Sequence, residues 1–362
     1  MKNTSVLLFI FCLLLNKIYF TQNQNTFILK NVTVPAYFSE YSNFRVISDK
    51  KENFFVLATD NSYNTFFIKY HNDTWEKSTK VFSDTSYLNT NTNMNFICDD
   101  NENIYFTGLK NNGRIEVCKY SQNKWENLNL PGLPQKIYSL KSYCFHNKIY
   151  LLCSETNKPQ NNNVYVLENN KWSPLSKTGV GNGEEINDLI CLGDELILKL
   201  NYYSNKPHST YKLNLKGDKE WEEWKYAYKD KEDKLRCNKL YSFSNNLYLG
   251  KVQFNGTQQP YVYKFDKEKW SLINDEELNN AKVRFYWLYE LNNNVFYFYE
   301  NEYDNKNIYF KIWKNNQWTK GAKLDPSRNI GQIDFDNCGN TILMKATKPN
   351  FSENYFYLLK LQ

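Results

Sequence analysis

A tryptophan-containing phrase recurs along the 362-residue chain at nearly constant intervals. The stretch "PYVYKFDKEKWSLI", residues 260–273, has near-copies in "IEVCKYSQNKWENL", "NVYVLENNKWSPL" and "IYFKIWKNNQWTKG". The tryptophans of this set follow one another at spacings of 50, 47, 49, 49 and 48 residues, and they are Trp75, Trp125, Trp172, Trp221, Trp270 and Trp318. A fixed period of this length is the signature of a repeat architecture.

Each period predicts four short strands, which we name A to D. An apolar run such as "NFIC" is followed by a polar turn and a second strand such as "NENIYF". A variable polar loop then leads to a third run that ends five residues before the tryptophan, and the tryptophan opens the last strand. The fourth repeat departs from this pattern, because "YKLNLKGDKEW" carries extra residues. Since aromatic residues suit pleated sheets and make up 17% of the chain, each period is typical of a β-propeller blade.

The number of blades follows from the two ends of the chain. The residues after Trp318 supply strands A, B and C of a further unit, but the chain stops before another tryptophan. The segment "TFILKNVTVP", residues 26–35, precedes the first strand A and has no partner of its own. We therefore expect an all-β, seven-bladed propeller of four-stranded antiparallel blades, the last closed by the N-terminal strand. Such closure removes sheet edges that would otherwise invite aggregation.

The repeat phrase resembles the layout of kelch-like propellers. The "VYVLENNKW" type of phrase carries this resemblance, together with "WTKGAKLDPSR", in which Arg328 follows Trp318 by ten residues as in a kelch repeat. The kelch Gly-Gly doublet is missing from every unit, and the WD dipeptide pattern and the sialidase S-x-D-x-G-x-T-W box are absent too. The resemblance is one of layout, so it implies the fold and no particular family.

The N-terminus predicts a secreted protein. Lys2 precedes an apolar run over residues 6–15, which is typical of a signal peptide and too short for an ordinary membrane span. We expect a leader over residues 1–21, cleaved within 18–24, followed by a single propeller domain over 22–362. An uncleaved anchor is the alternative. Without Lys2 and Lys17 the net charge is +4, and no dense basic block is present, so nucleic acid is not expected as a partner.

Secretion has consequences for asparagine and cysteine. Four sequons outside the leader predict glycan acceptors at Asn31, Asn72, Asn255 and Asn350. Seven cysteines remain after the leader, which is an odd number, and no two of them form a CxxC pair. The chain is large enough to fold without disulfide bonds. We expect buried free thiols, no metal site and no cofactor.

Arginine gives the most suggestive pattern for a site. Of five arginines, Arg236 and Arg284 are separated by 48 residues, while Arg45 and Arg328 lie within two or three residues of the equivalent position. These four precede or open strand A, on the side where the variable B–C loops and the D–A connections meet. A guanidinium cluster there predicts bidentate binding of a carboxylate or phosphate. The alternative is that each arginine braces a blade junction.

No catalytic set is recognisable in the sequence. The three histidines fall in predicted turns or loops, and carboxylates such as Asp99, Asp100, Asp334 and Asp336 lie near tight turns, where aspartate is common. The first expectation is therefore a secreted, non-catalytic propeller that binds an extracellular glycan, protein or small ligand through its loop-rich face. A venom or saliva component belongs to this class. The alternatives are a secreted hydrolase of an anionic sugar, sialidase-like, and a structural protein of a matrix or coat.

Overall fold

The computed structural model contains seven antiparallel β-sheets and almost no helix. It describes residues 17–361, apart from 23–24, 50–52, 61, 63, 77–78, 83–93, 100, 102, 111, 122–123, 129, 135, 156–161, 177–179, 181–183, 203–209, 229–236, 253–258, 302–303, 305–306, 326–331, 339–340 and 348–353. In six of the sheets strands A to D follow chain order, and in the seventh the N-terminal strand supplies strand D, as the repeat pattern predicts. This confirms an all-β, seven-bladed propeller with four-stranded antiparallel blades.

The chain divides into two compact units, one made of Met1–Ser83 with Glu290–Gln362 and the other of Asp84–Tyr289. The second unit holds four sheets. The second blade consists of β8 (Met94–Cys98), β9 (Ile104–Leu109), β10 (Ile115–Ser121) and β11 (Lys124–Asn127). The third consists of β12 (Ile137–Phe145), β13 (Lys148–Glu155), β14 (Asn162–Glu168) and β15 (Lys171–Pro174), and the fourth of β16 (Glu184–Leu192), β17 (Glu195–Tyr202), β18 (Thr210–Asn214) and β19 (Glu222–Glu223). The fifth consists of β20 (Cys237–Phe243), β21 (Asn246–Val252), β22 (Pro260–Asp266) and β23 (Lys269–Leu272).

The first unit holds the first blade and the closing blade. The first blade consists of β3 (Tyr41–Ser48), β4 (Phe54–Asp60), β5 (Thr65–His71), β6 (Thr74–Trp75) and β7 (Thr79–Phe82). The closing blade consists of β29 (Gln332–Cys338), β30 (Thr341–Thr347), β31 (Asn354–Leu361), β2 (Asn25–Val32) and β1 (Lys17–Gln22).

A further sheet consists of β24 (Val283–Leu291), β25 (Asn294–Asn301), β26 (Asn307–Lys314), β27 (Gln317–Trp318) and β28 (Ala322–Lys323), and the boundary between the two units falls within β24. The two short helices of the described chain are a 3-10 helix, Ala36–Glu40, and α1, Glu276–Asn280. None of the described helices is long and apolar enough to cross a membrane.

The closing blade joins the two ends of the chain. Strand β2 pairs antiparallel with β31, and Phe27 lies opposite Leu361. In five of the other blades the residue opposite strand C at this place is the repeat tryptophan, so a phenylalanine from the start of the chain occupies the equivalent position. Strand β1 pairs along the outer edge of β2 and falls within the predicted leader and its cleavage window.

The recurrent phrase is the hairpin between strands C and D. The residue five positions before each tryptophan lies directly opposite it, because the two are separated by a two-residue turn and its flanking pair; examples are Tyr70 with Trp75 and Phe265 with Trp270. The ring centroids of these pairs are 4.6 and 5.1 Å apart. Such aromatic pairs contribute about 0.5–1.5 kcal/mol beyond the area they bury. In the longer fourth repeat, Trp221 lies just before β19 instead.

The tight turns account for part of the asparagine content. Both central residues of the two-residue hairpins have positive φ, as at Asn72-Asp73, Asn169-Asn170 and Asn315-Asn316. Left-handed backbone is costly for most residues and least so for Gly, Asn and Asp, and two-residue turns of this hand match the twist of paired strands. At these turns asparagine adopts the left-handed conformation that glycine adopts in many hairpins, which suits a chain with only 13 glycines.

In two blades a tryptophan also ties the blade to the connection that precedes it. The indole N–H of Trp75 donates to the carbonyl of Thr33 at 3.0 Å, and that of Trp270 donates to the carbonyl of Tyr226 at 2.9 Å. Buried side chains of adjacent sheets interlock, for example Leu140 and Leu151 with Val117 and Tyr105 in the second unit. The first strands β8, β12, β16 and β20 contact one another in succession, as β29 contacts β3 in the first unit. Strand A is thus the inner strand of each blade.

We expect Gly132→Ala to destabilise the protein strongly. Gly132 has φ of +107°, and an added Cβ would lie 2.0 Å from the carbonyl oxygen of Trp172 in the next blade. Backbone strain of this kind costs about 1–3 kcal/mol before the clash is counted. Denaturant unfolding should show a loss of about 2–4 kcal/mol. The control Gly217→Ala, whose new Cβ would meet Asn214 at an ordinary 3.5 Å, should change stability by less than about 1 kcal/mol. Equal losses in both variants would contradict this account.

Candidate functional site

The structure describes the predicted arginine set only in part. Arg236 and Arg328 lie outside the described residues. Arg284 is the second residue of β24, where the backbone alone is described. Arg45 is the fifth residue of β3, farther along strand A than its predicted place at the strand opening. Arg45 is therefore the predicted arginine from which a site can be built.

A β-bulge positions Arg45. In β3, Ser42 lies opposite Thr59 and Arg45 opposite Leu57, so Asn43 and Phe44 both face the single residue between them. Bulges bend a strand and redirect the side chains that follow, and they are frequent next to functional sites. The guanidinium group that follows this bulge has a side-chain exposure of 53%, and it lies 3.7 Å from the carboxylate of Asp334 on the inner strand of the closing blade.

Asp334 and Lys345 complete this charged cluster. One carboxylate oxygen of Asp334 accepts the backbone N–H of Val46 at 3.0 Å, which holds β29 against β3. Lys345 lies opposite Asp334 on β30, and its ammonium is 5.8 Å from the ring centre of Phe44. Burial lowers the pKa of Lys345, while the nearby Asp334 raises it. The cluster brings two cations and one carboxylate to the inner strands of the first unit.

The second unit carries a similar charged layer at the same strand position. Asp188 directly follows a bulge in β16, and another bulge precedes Ser139 in β12. The phenol of Tyr143 donates to Asp188 at 3.1 Å and accepts the N–H of Leu189 at 3.2 Å. Burial, followed by the charge of Asp188, raises the pKa of Tyr143 well above its usual value, so the phenol stays neutral. Lys141 and Lys239 occupy the place of Asp188 in their own blades, four residues before strand A ends.

Asp336 and Asp99 hold backbone groups of the sheets and turns in place. Asp336 accepts from the backbone N–H and the hydroxyl of Ser48, at 2.6 and 3.0 Å. Asp99 accepts the N–H groups of Asn101 and Asn103 within its turn. Burial raises the pKa of Cys118 to about 12 and of Cys191 to about 11, so both thiols are protonated near neutral pH.

Among the cysteines whose side chains the structure describes, five are free, and they are Cys98, Cys118, Cys144, Cys153 and Cys191. Two of the five are buried and three are partly buried. In the part of the chain that the structure describes, no three His, Cys, Asp or Glu side chains converge as a metal site.

Two of the four predicted glycan acceptors can be placed. Asn31 is exposed on β2, opposite Tyr357, and Asn72 is exposed at the first position of the turn between β5 and β6. Asn255 and Asn350 lie outside the described residues, as do most of the predicted binding loops. The loops between strands B and C and the D–A connections leave the sheets at the same end, because consecutive strands are antiparallel.

No family model matches the chain. No curated protein matches it either. Among solved structures, it is similar to a puromycin-hydrolysing peptidase from Mycobacterium tuberculosis, at 9% identity and a TM-score of 0.58 over 86% of this chain and 51% of the peptidase. It is also similar to AofleA from Arthrobotrys oligospora, in a mutant form, at 10% identity and a TM-score of 0.50 over 84% and 91% of the two chains. A fungal lectin from Aleuria aurantia, described as a six-bladed propeller that recognises fucose, is 12% identical, with a TM-score of 0.46 over 81% of this chain and 99% of the lectin.

The likenesses to the peptidase and to AofleA show the propeller fold alone, and this chain spans about half of the peptidase. Within the site, sequence reasoning missed Lys345, Asp188, Lys141 and Lys239, and it assigned Asp334 to a tight turn rather than to the inner layer. A signal was present: Asp334, Lys141, Asp188 and Lys239 each fall four residues before the end of their strand A. Aligning the repeats on strand A instead of on the tryptophans would have exposed this polar position.

We expect Asp336→Ala to cost about 1–3 kcal/mol of folding free energy, because the buried N–H of Ser48 loses its acceptor. Asp336→Asn keeps an acceptor oxygen and should recover most of the loss. Asp194→Ala is the control, since the side chain of Asp194 is 49% exposed in its ion pair with Lys216, and such surface pairs contribute about 0–1 kcal/mol. Denaturant midpoints measure all three variants. An Asp336→Ala variant as stable as the wild type would show that this carboxylate is not structural.

Proposed function

We propose that this protein is a secreted, non-catalytic binding propeller that recognises an anionic extracellular ligand, a glycan first of all, at its inner strands. The observation that carries the proposal is the exposed guanidinium of Arg45, which a bulge redirects and Asp334 holds on the neighbouring inner strand. A guanidinium oriented in this way is suited to bidentate binding of a carboxylate. We also propose that the propeller is of the kelch-like kind, because the layout of its repeat phrase resembles that of kelch repeats.

Binding is favoured over hydrolysis by the state of the described acids. Glycoside hydrolysis needs two carboxyl groups that flank the scissile bond, one as acid and one as nucleophile or base. Asp334 and Asp336 each accept a backbone N–H of β3 and join two blades, so both are engaged in the frame. The exposed guanidinium of Arg45 instead supports attraction of an anionic ligand.

Secretion and N-glycosylation are parts of the same proposal. Their support is the apolar run after Lys2 and the exposure of Asn31 and Asn72, which leaves both acceptors accessible. The leader segment includes β1, whose only described strand partner is β2, while β2 also pairs with β31. Removal of the leader would therefore leave the closing blade with its four strands.

The binding proposal predicts the outcome of a glycan-array experiment with the purified mature protein. Wild type should bind at least one class of acidic glycan. Arg45→Ala should bind that glycan about tenfold to a hundredfold more weakly, since a hydrogen-bonded charge is lost. The stability of the variant should fall by no more than about 1 kcal/mol, because the pair with Asp334 is largely exposed.

Arg114→Ala is the matched control, because this exposed arginine follows the turn at Asn112 and is not on an inner strand. It should bind as wild type does. Equal binding by the Arg45→Ala variant would refute the assigned role of Arg45. Turnover of a fluorogenic sialic-acid substrate by wild type would refute the non-catalytic assignment.

The leader predicts the N-terminus of the secreted protein. Expression of the whole chain in insect cells should give protein in the medium whose first residue lies within 18–25. Mass spectrometry of the intact chain and its terminal peptide measures the cleavage point, and treatment with a peptide N-glycosidase reveals attached glycans. Material retained in the membrane fraction with residues 1–17 present would establish the uncleaved anchor instead.

A further inference from the structure

A concave site lies in the first unit, between the first blade and the closing blade. Its volume is about 190 Å³. Phe54, Tyr70 and Leu358 lie at its base, but they are only 3, 4 and 3% exposed, so the accessible lining is mainly polar. These residues come from both ends of the chain, since β4 and β5 are near its start and β31 is near its end.

The rim of this cavity is polar, and an acid on it, Asp73, is paired with a lysine. Asp73 accepts from the ammonium of Lys30 at 2.7 Å and from the phenol of Tyr70 at 2.9 Å. The hydrogen bond from Lys30 lowers the pKa of Asp73, so this carboxylate is ionised near neutral pH and paired. Asn72 precedes it on the same turn.

Lys360 gives the cavity its remaining charge. It lines the rim and lies opposite Thr341 in the ladder between β30 and β31. Within the described part of the chain its ammonium makes no hydrogen bond or ion pair, although it lies near enough to Asp73 to lower the pKa of that acid. With Asp73 paired to Lys30, the rim carries one cation whose charge no bonded partner offsets.

We propose that this cavity binds a small, polar monocarboxylate. Its carboxylate pairs with Lys360 and accepts from the hydroxyl of Thr341. The size sets the class, because drug-sized ligands need roughly 300–1,000 Å³ and this cavity is smaller. Since the base of the cavity exposes little apolar surface, polar groups on the rim determine which ligand binds.

This site is independent of the binding region proposed around Arg45. The cavity lies beside the turn of Asn72 and Asp73, at the end of the sheets where strands C and D are joined. Arg45 lies within an inner strand, and it does not line the cavity. Because both blades that form the walls belong to the seam between the chain ends, an occupant would brace the closure of the propeller.

The test uses ligand-observed NMR titration of the whole mature chain. All measurements are made in a Thr74→Val background, which removes the sequon and leaves Asn72 on the rim unmodified. The probes are benzoate, as a free aromatic acid, and glucuronate, as a sugar acid, each compared with its neutral analogue, benzamide or glucose. We expect at least one carboxylate to bind with a Kd of about 1 mM, as befits a ligand of so few atoms, and its neutral analogue to bind at least tenfold more weakly.

Lys360→Gln should weaken binding of that carboxylate at least tenfold, while leaving the unfolding midpoint unchanged because Lys360 is exposed. Lys124→Gln, an exposed lysine on β11, is the matched control and should bind as the background does. Preference for benzoate or for glucuronate identifies the source of the ligand. Absence of binding for both carboxylates, equal binding by the neutral analogues, or an unchanged affinity in Lys360→Gln would overturn the proposal.

Discussion

The antiparallel pairing of β2 with β31 is the interaction on which the closing blade depends. It joins residues 25–32 to residues 354–361 and supplies the fourth strand of a blade that the C-terminal segment leaves incomplete. Unpaired strand edges are templates for association with other chains, and a completed blade hides this one. Trp75 strengthens the seam, because its indole binds the carbonyl of Thr33 just after β2.

Most of the fold could be predicted from sequence because its determinants are local and repeated. The spacing of five residues in the tryptophan phrase specifies a two-residue hairpin, and Tyr70 indeed lies opposite Trp75. The closing strand was predictable from the tryptophan spacing and from the unpartnered segment at residues 26–35. The bulges before Arg45 and Asp188 were not, because the spacing of the tryptophans already varies from 47 to 50, so one extra residue in a strand cannot be told from one extra residue in a loop.

The site was less predictable than the fold, since side chains on inner strands meet across blades that are far apart in sequence. Arg45 and Asp334 are separated by almost the whole chain, yet they form one ion pair. Sequence reasoning recognised Arg45 as a candidate and placed it too early in its strand. Lys360 could not be predicted as a binding residue, because nothing in the sequence distinguishes it from the other lysines among 45 basic residues.

The seam also determines when the protein can finish folding. Strand β2, residues 25–32, is synthesised well before its partner β31, residues 354–361. Domains usually fold as their residues emerge, and contacts between distant parts of a chain form slowly. The nascent chain must therefore keep an extended N-terminal strand unpaired while the other blades form. During that interval the unpaired edge of the closing blade is open to association with other chains.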